Sequence, residues 1–171
     1  MSQRDSGYER KERDLYETPE WVTLALMPHL PGGIHTVWEP ACGSGKMSAA
    51  IAKFYEVYGT DIETGYDFLN PPSADYTADA IITNPPYEFA QQFIQRSLDV
   101  CQVVAMLLRT DFDHAKSRQH LFGARPHFAK KIVLTKRIRW FEDSKGSPSF
   151  NHAWFIWDWR HKGAPTLAYG P

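Results

Sequence analysis

Cysteine is scarce, long apolar runs are missing and neither charge sign dominates in this chain of 171 residues. Cys42 and Cys101 are too few for a disulfide framework, and neither sits in a CxxC or Cys/His spacing that suits zinc. The histidines are scattered, and His114 and His120 fall on different helical faces, so no metal site is expected. No stretch approaches the roughly 20 apolar residues of a membrane helix, and Met1-Ser2-Gln3-Arg4-Asp5 lacks a signal-peptide pattern. These absences argue against disulfide scaffolds, zinc modules and helical membrane proteins, and they point to a cytoplasmic protein with no membrane partner. Repeats and low-complexity tracts are absent as well.

With 43% hydrophobic and 23% charged residues, the composition is that of an ordinary globular domain. Residues 1–14 mix both charge signs with little apolar content and read as a loosely docked arm, leaving 15–171 as one domain. The net charge of −1 says little, but its distribution says more. From Arg109 to Arg139 run Lys116, Arg118, Arg125, Lys130, Lys131, Lys136 and Arg137, opposed only by Asp111 and Asp113. Such a stretch either attracts a polyanion or forms ordinary solvated faces.

The most informative stretch is Asn84-Pro85-Pro86-Tyr87, directly after the apolar run Ala80-Ile81-Ile82-Thr83. The run reads as a buried strand, and the prolines prevent it from turning at once into helix. Ligands of α/β sheets bind at the carboxyl ends of strands, where this cluster falls. Asn84 offers a side-chain carbonyl, the prolines fix a main-chain carbonyl, and Tyr87 offers a flat face. Two acceptors beside an aromatic plate suit a planar ring with an exocyclic amine. The alternative is a rigid turn that merely ends a strand.

Upstream, Thr18 can cap a helix that begins at Pro19 and ends before Pro31-Gly32-Gly33. His35 to Pro40 reads as a first strand, Ala41-Cys42-Gly43-Ser44-Gly45-Lys46 as a glycine loop, and Met47, Ile51 and Phe54 as one face of a helix. The loop lacks the spacing of a P-loop and the third glycine of a dinucleotide fingerprint. Tyr55 to Asp61 reads as a second strand, whose terminal acid can accept both hydroxyls of a ribose. Asp67-Phe68-Leu69 can pair an amine and pack a ring, or form a common turn. Asn70-Pro71-Pro72 then leaves little room for a third strand before Ala80. Beyond Tyr87, a helix is expected over Ala90 to Cys101, a strand over Val103 to Leu108 and a helix over Asp111 to Gly123. Lys131 to Thr135 and Ala153 to Trp157 complete the expected strands. The loop from Arg139 to His152 carries Trp140, Phe141 and Phe150 and is either a stacking platform or a lid.

Taken in order, Tyr16-Glu17-Thr18-Pro19, Glu39-Pro40-Ala41-Cys42-Gly43-Ser44-Gly45, Asp61, Asp67-Phe68-Leu69 and Asn84-Pro85-Pro86-Tyr87 resemble a known set of motifs. The set is that of class I S-adenosylmethionine-dependent amino-methyltransferases, in the gamma arrangement of DNA adenine-N6 enzymes. The resemblance spans Tyr16 to Tyr87 and extends loosely to about Trp159. It implies an α/β, Rossmann-like fold: a mostly parallel, seven-stranded-type sheet, abbreviated around its third strand, with helices on both faces. It implies S-adenosylmethionine as cofactor, with contacts from Tyr16, Thr18, Glu39, Ala41, Gly43, Gly45 and Asn84, the ribose on Asp61 and the adenine on Asp67 and Phe68. Asn84, Pro85, Pro86 and Tyr87 would be the catalytic loop, with Tyr87 stacked on the target base and Phe141 or Phe150 on its second face.

Members that read a DNA sequence usually carry a separate recognition domain, which 15–171 does not accommodate. That implies weak sequence preference, or specificity from a homodimer or another partner. Nucleic acid is the implied partner, DNA ahead of RNA. Cytosine-C5 transfer fits poorly because neither cysteine follows a proline, and cytosine-N4 enzymes usually have serine where Asn84 stands. Two readings compete: glutamine-N5 methylation of a protein, which uses the same Asn-Pro-Pro-Tyr loop, and a non-catalytic nucleic-acid-binding partner of another methyltransferase.

Overall fold

The computed structural model describes residues 16–122, 127–140 and 150–171. Its strands are β1 (Thr36–Glu39), β2 (Glu56–Gly59), β3 (Ala80–Thr83), β4 (Val103–Arg109), β5 (Phe128–Leu134), β6 (His152–Asp158) and β7 (Thr166–Gly170). Its helices are α1 (Glu20–Leu26), α2 (Lys46–Ile51), α3 (Ala90–Val100) and the single turn α4 (Gln119–Phe122). The strands form one sheet of seven in the order β2-β1-β3-β4-β6-β5-β7. Only β6 runs against the others, pairing antiparallel with β4 and β5.

Both faces of this sheet are covered, so its central strands are apolar on both sides instead of alternating with polar residues. On one face Trp38, Ile81, Val104, Met106, Phe155 and Trp157 pack against Phe93, Ile94 and Leu98 of α3. On the other, Val37, Ile82, Ala105, Leu107, Trp154 and Ile156 meet Val22 and Leu26 of α1 and Ile51 of α2. Each indole finds a partner for its polar end: Trp154 Nε1 donates to the Val22 carbonyl at 2.8 Å, Trp157 Nε1 to that of Leu121 at 2.9 Å.

The chain goes from β1 outward to β2 and then returns to the far side of β1 for β3. The crevice between β1 and β3 is therefore a topological switch point, where α/β folds bind ligands. Between β2 and β3 there is only a 3-10 turn, Ile62–Thr64, so the abbreviation around the third strand is observed and β2 is the sheet edge. The sheet regains its seventh strand at the opposite edge through β7, parallel to β5.

Three local expectations differ from the structure. The helix over Asp111 to Gly123 is broken: 3-10 turns at Phe112–His114 and Lys116–Arg118 precede α4, and Gly123 lies outside the described residues. Extended Ala115 interrupts it (ψ 127°), buried Phe112 is drawn into the core, and Arg118 folds back to donate to the Phe112 carbonyl at 3.0 Å. Thr18 does not cap α1; Pro19 precedes its first residue and no side chain caps it. β7 was not expected at all, because at the sheet edge Leu167 and Tyr169 remain exposed while Ala168 packs inward, which leaves no apolar run to read.

Candidate active site

β3 ends in Thr83, fully buried, and the next residue is Asn84. The Asn84 amide donates through Nδ2 to the Tyr16 carbonyl and to Thr18 Oγ1, both at 3.3 Å. A main-chain carbonyl can only accept, so the amide nitrogen must face it and Oδ1 must face away. That Oδ1 is buried and has no hydrogen-bond partner among the described residues. An acceptor left in this state costs about 1–3 kcal/mol, and such groups are few enough in folded proteins that each calls for an explanation. The residue expected to cap a helix, Thr18, is buried and instead orients this amide.

Pro85 is buried, Pro86 is exposed, and Tyr87 opens a 3-10 turn that leads into α3. Tyr87 is 37% exposed. Its hydroxyl lies 3.0 Å from His152 Nε2, and its ring centre is 5.8 Å from that of Tyr16. Trp140 closes the circuit, edge-on to Tyr16 at 5.3 Å and to His152 at 5.1 Å. Four rings, Tyr16, Tyr87, His152 and Trp140, thus form one cluster around the start of the turn that follows Asn84. Burial pushes the His152 imidazole down to about 4, assisted by the positive charge of Arg109, so it is neutral near pH 7.

The acids come from the adjacent strand ends. Glu39 closes β1, is 2% exposed, and accepts a hydrogen bond from Ser48 Oγ. Burial pushes its carboxyl up to about 8; the Ser48 bonds oppose that rise and the negative charge of Asp61 adds to it. Asp61 follows β2 and pins the glycine loop: Oδ2 accepts from Gly43 N and Oδ1 from Glu63 N, both at 2.9 Å. Gly43 and Gly45 have φ of 52° and 84°, a left-handed backbone that glycine adopts freely. Ala41 is half-buried, and Cys42 N donates to the Thr60 carbonyl at 3.0 Å, joining the loop to the end of β2. The loop, both acids and Asn84 therefore meet at the carboxyl ends of β1, β2 and β3.

Asp67 accepts from Leu69 N at 3.0 Å, closing a turn. Phe68 is only 2% exposed, edge-on to Trp38 at 5.1 Å and beside Phe93 at 5.0 Å, so its ring serves the core. Phe150 is 49% exposed, with the Arg109 guanidinium 4.1 Å from its ring centre. Phe141 lies outside the described residues. Two groups lie outside the expected site: His152, in contact with Tyr87, and Ile62, 68% exposed directly after Asp61, while Trp140, expected only as a loop aromatic, packs on Tyr16. An apolar residue following an acid at a strand end was a readable signal for Ile62. The His152 contact, 65 positions from Tyr87, left none. No cluster of metal-ligating side chains occurs among the described residues, and no helix there is long and apolar enough to cross a membrane.

No protein-family model matches the sequence, and no curated protein matches it either. Solved structures do match. The type IIG restriction endonuclease BpuSI superposes with a TM-score of 0.59 at 12% identity, over 86% of this chain and 24% of that one. A "putative hemolysin" from Lactococcus lactis gives 0.55 at 11% identity, over 88% and 91%. A "putative RNA methyltransferase" from Pyrococcus horikoshii gives 0.51 at 12%, over 81% of both chains. The chain thus spans about a quarter of the restriction enzyme's length. Identities this low bear on architecture alone, and in architecture the chain has the α/β, Rossmann-like fold of class I methyltransferases.

Proposed function

We propose that the protein transfers a methyl group from S-adenosylmethionine to the N6 amine of adenine in nucleic acid, DNA ahead of RNA. The observation that carries this reading is the buried, unpartnered Oδ1 of Asn84, held outward because Tyr16 and Thr18 occupy the other end of the amide. An exocyclic amine supplies the donor that this acceptor lacks. An adenine amine is a weak nucleophile because its lone pair is delocalised into the ring. Accepting its two protons on Asn84 Oδ1 and the Pro85 carbonyl draws that electron density back onto nitrogen. Tyr87, in contact with His152 and Tyr16, is the proposed plate for the base. Phe150, or Phe141, is the proposed second face.

The acids and the glycine loop suit the proposed cofactor. Glu39 is a buried carboxyl with no cation paired to it among the described residues, which fits an incoming ammonium, and Gly43 and Gly45 let the backbone come close. In this reading Tyr16, Thr18 and Ala41 contact that end, Asp61 takes the ribose, Asp67 takes the adenine amine, and exposed Ile62 packs on the ring. When bound, S-adenosylmethionine supplies an electrophilic sulfonium methyl whose C–S bond breaks as the N–C bond forms, leaving a neutral thioether. Asn84 and Pro85 need only hold the amine in line, and the extra proton leaves the methylated nitrogen for water. Orientation of two held reactants then supplies most of the rate.

The test is incubation with methyl-labelled S-adenosylmethionine and separate DNA, RNA and protein pools, followed by nucleoside analysis, with Asn84→Ala alongside. N6-methyladenine in one nucleic-acid pool, lost in the variant, is the expected result. Label confined to protein overturns it in favour of glutamine methylation, and no label in any pool favours the non-catalytic partner.

A further inference from the structure

The cations between Arg109 and Arg139 do not make one surface. Arg109 pairs with Asp111 and Lys131 with Asp113, each at 2.8 Å, and Arg118 lies 4.0 Å from the Phe112 ring centre while donating to its carbonyl. Arg109 and Lys131 are thus neutralised within their own segment. The end of the stretch is arranged differently. Ile138, 1% exposed, is buried in the core layer of Val22 and Leu26, which leaves Lys136, Arg137 and Arg139 on the surface around it. Together with Lys46, from the end of the glycine loop, they line a cleft of about 240 Å³ floored by Trp21 and Trp140.

Among the described residues one carboxylate lines this cleft, Glu17, 3.8 Å from Lys46 and already accepting from Ser44 Oγ at 2.5 Å. Four cations face it in a chain whose net charge is −1. Two of them also contact neutral groups: the Lys136 ammonium is 4.9 Å from the Trp21 ring centre, and Arg137 Nε donates to Asn151 Oδ1 at 2.9 Å. With Lys136 over it, Trp21 steadies a cation and does not offer that face to a base. The cleft therefore suits an anion with several charge centres. Its wall is also part of the proposed active site, because Trp140 touches Tyr16, and Tyr16 touches Tyr87.

We infer that this cleft holds the phosphodiester backbone next to the nucleotide whose base enters at Asn84 and Tyr87, an inference that rests on the reading above. Base and backbone are joined covalently, so a strand that places its base in the trap must run over the adjoining surface. Charge contacts of this kind position a strand without reading its sequence.

The test uses the full chain and a fluorescent oligothymidylate, which has no adenine for the trap, with anisotropy followed across salt concentration. Each lost contact to a single strand lowers the slope of log K against log salt by roughly 0.7. Lys136→Ala with Arg139→Ala is expected to lower it by about 1.4 and to weaken binding at least about tenfold at low salt. Lys136→Arg with Arg139→Lys is expected to keep the slope, Lys116→Ala to leave it unchanged, and calorimetry to show S-adenosylmethionine binding unaltered in all of them. If the double alanine variant melts early, Arg139→Ala alone, with a decrement of about 0.7, decides the matter. An unchanged slope in the alanine variants, or an equal loss in the charge-preserving pair, overturns the cleft. A wild type that methylates adenine while its variants keep the full slope loses only this inference. A wild type that binds oligothymidylate as described but methylates no nucleic acid loses the reaction and keeps the cleft.

Discussion

The two halves of the sheet are built for different ends. β1, β2 and β3 are four residues long, and polar Glu39, Asp61 and Asn84 stand at or near their carboxyl ends, Asn84 with a buried acceptor left unpartnered. β4 and β6 are seven residues long, and the fully buried Trp154 and Trp157 in β6 have their indole donors satisfied. The second half gains stability chiefly from apolar burial, with both indole donors of β6 bonded. The first half keeps an acceptor unpaired and a carboxyl out of water, both unfavourable unless something binds there. In this protein, then, most of the proposed chemistry sits at the ends of the short strands, and the longer half reaches it only through His152 at the start of β6.

The largest effect expected is in the stabilising half. Trp154→Ala removes a fully buried side chain and its bond to the Val22 carbonyl and should cost about 3–5 kcal/mol, seen as a lower midpoint in urea unfolding. Asn84→Ala should shift that midpoint far less, because it deletes an unsatisfied acceptor together with two long bonds. Methyl transfer should nevertheless fall about 10²- to 10³-fold in that variant. If Asn84→Ala destabilises the protein as much as Trp154→Ala, Asn84 is a structural tie and the contrast between the halves fails.

Glu39 comes next. Its folded value of about 8 lies above the ordinary 4.5, so the stability contributed by its buried proton is complete below pH 4.5 and lost as pH rises toward 8. Glu39→Gln should therefore gain on the wild type across that window. The proposed ammonium favours the ionised carboxylate, so wild-type affinity for S-adenosylmethionine should rise with pH up to about 8, by at most about tenfold per pH unit. Calorimetry in buffers of different ionisation heat should register the released proton, and Glu39→Gln should bind weakly with a flat profile. A flat profile in the wild type would mean that Glu39 meets no cation.

The same contrast explains what could be read in the sequence. Ala80–Thr83 is the strand expected, residue for residue, because an apolar run bounded by prolines admits few alternatives. The glycine loop, Asp61 and Asn84 were legible for a related reason: groups at the ends of neighbouring parallel strands are brought together by topology alone. Contacts between distant segments were not legible. His152 meets Tyr87 only because β6 reverses beside β4, placing His152 opposite Arg109. Thr18 was read as a cap because local pattern cannot reveal that Asn84, 66 positions away, would claim its hydroxyl. Phe68 looked like a ligand plate since an Asp-Phe pair does not disclose which way the ring turns, and it turns into the core. β7 escaped notice because an edge strand buries too little to leave a pattern.

The smallest expected effect separates two explanations of the fragile half: whether it is weak along its whole length or only at the crevice. Asp79 stands at the other end of the same strands. Its Oδ2 accepts from His35 N at 2.8 Å, Thr36 N at 2.9 Å and Thr36 Oγ1 at 3.1 Å, bridging the approaches to β3 and β1. The two main-chain donors hold its carboxyl below the usual range despite some opposing desolvation. A lowered folded value means that its contribution is present at neutral pH and is lost as pH falls through the acidic range below the ordinary 3.8. The carboxylate is exposed, so Asp79→Ala should cost only about 1 kcal/mol at pH 7. Asp79→Asn, which keeps an acceptor without the charge, should cost less and should remove this group's part of the acid sensitivity. Neither change should alter S-adenosylmethionine affinity, because the amino end of the strands faces away from the glycine loop. Loss of cofactor binding in Asp79→Ala, with the fold intact, would show that the two ends of these short strands are mechanically coupled and that the fragility belongs to the whole half.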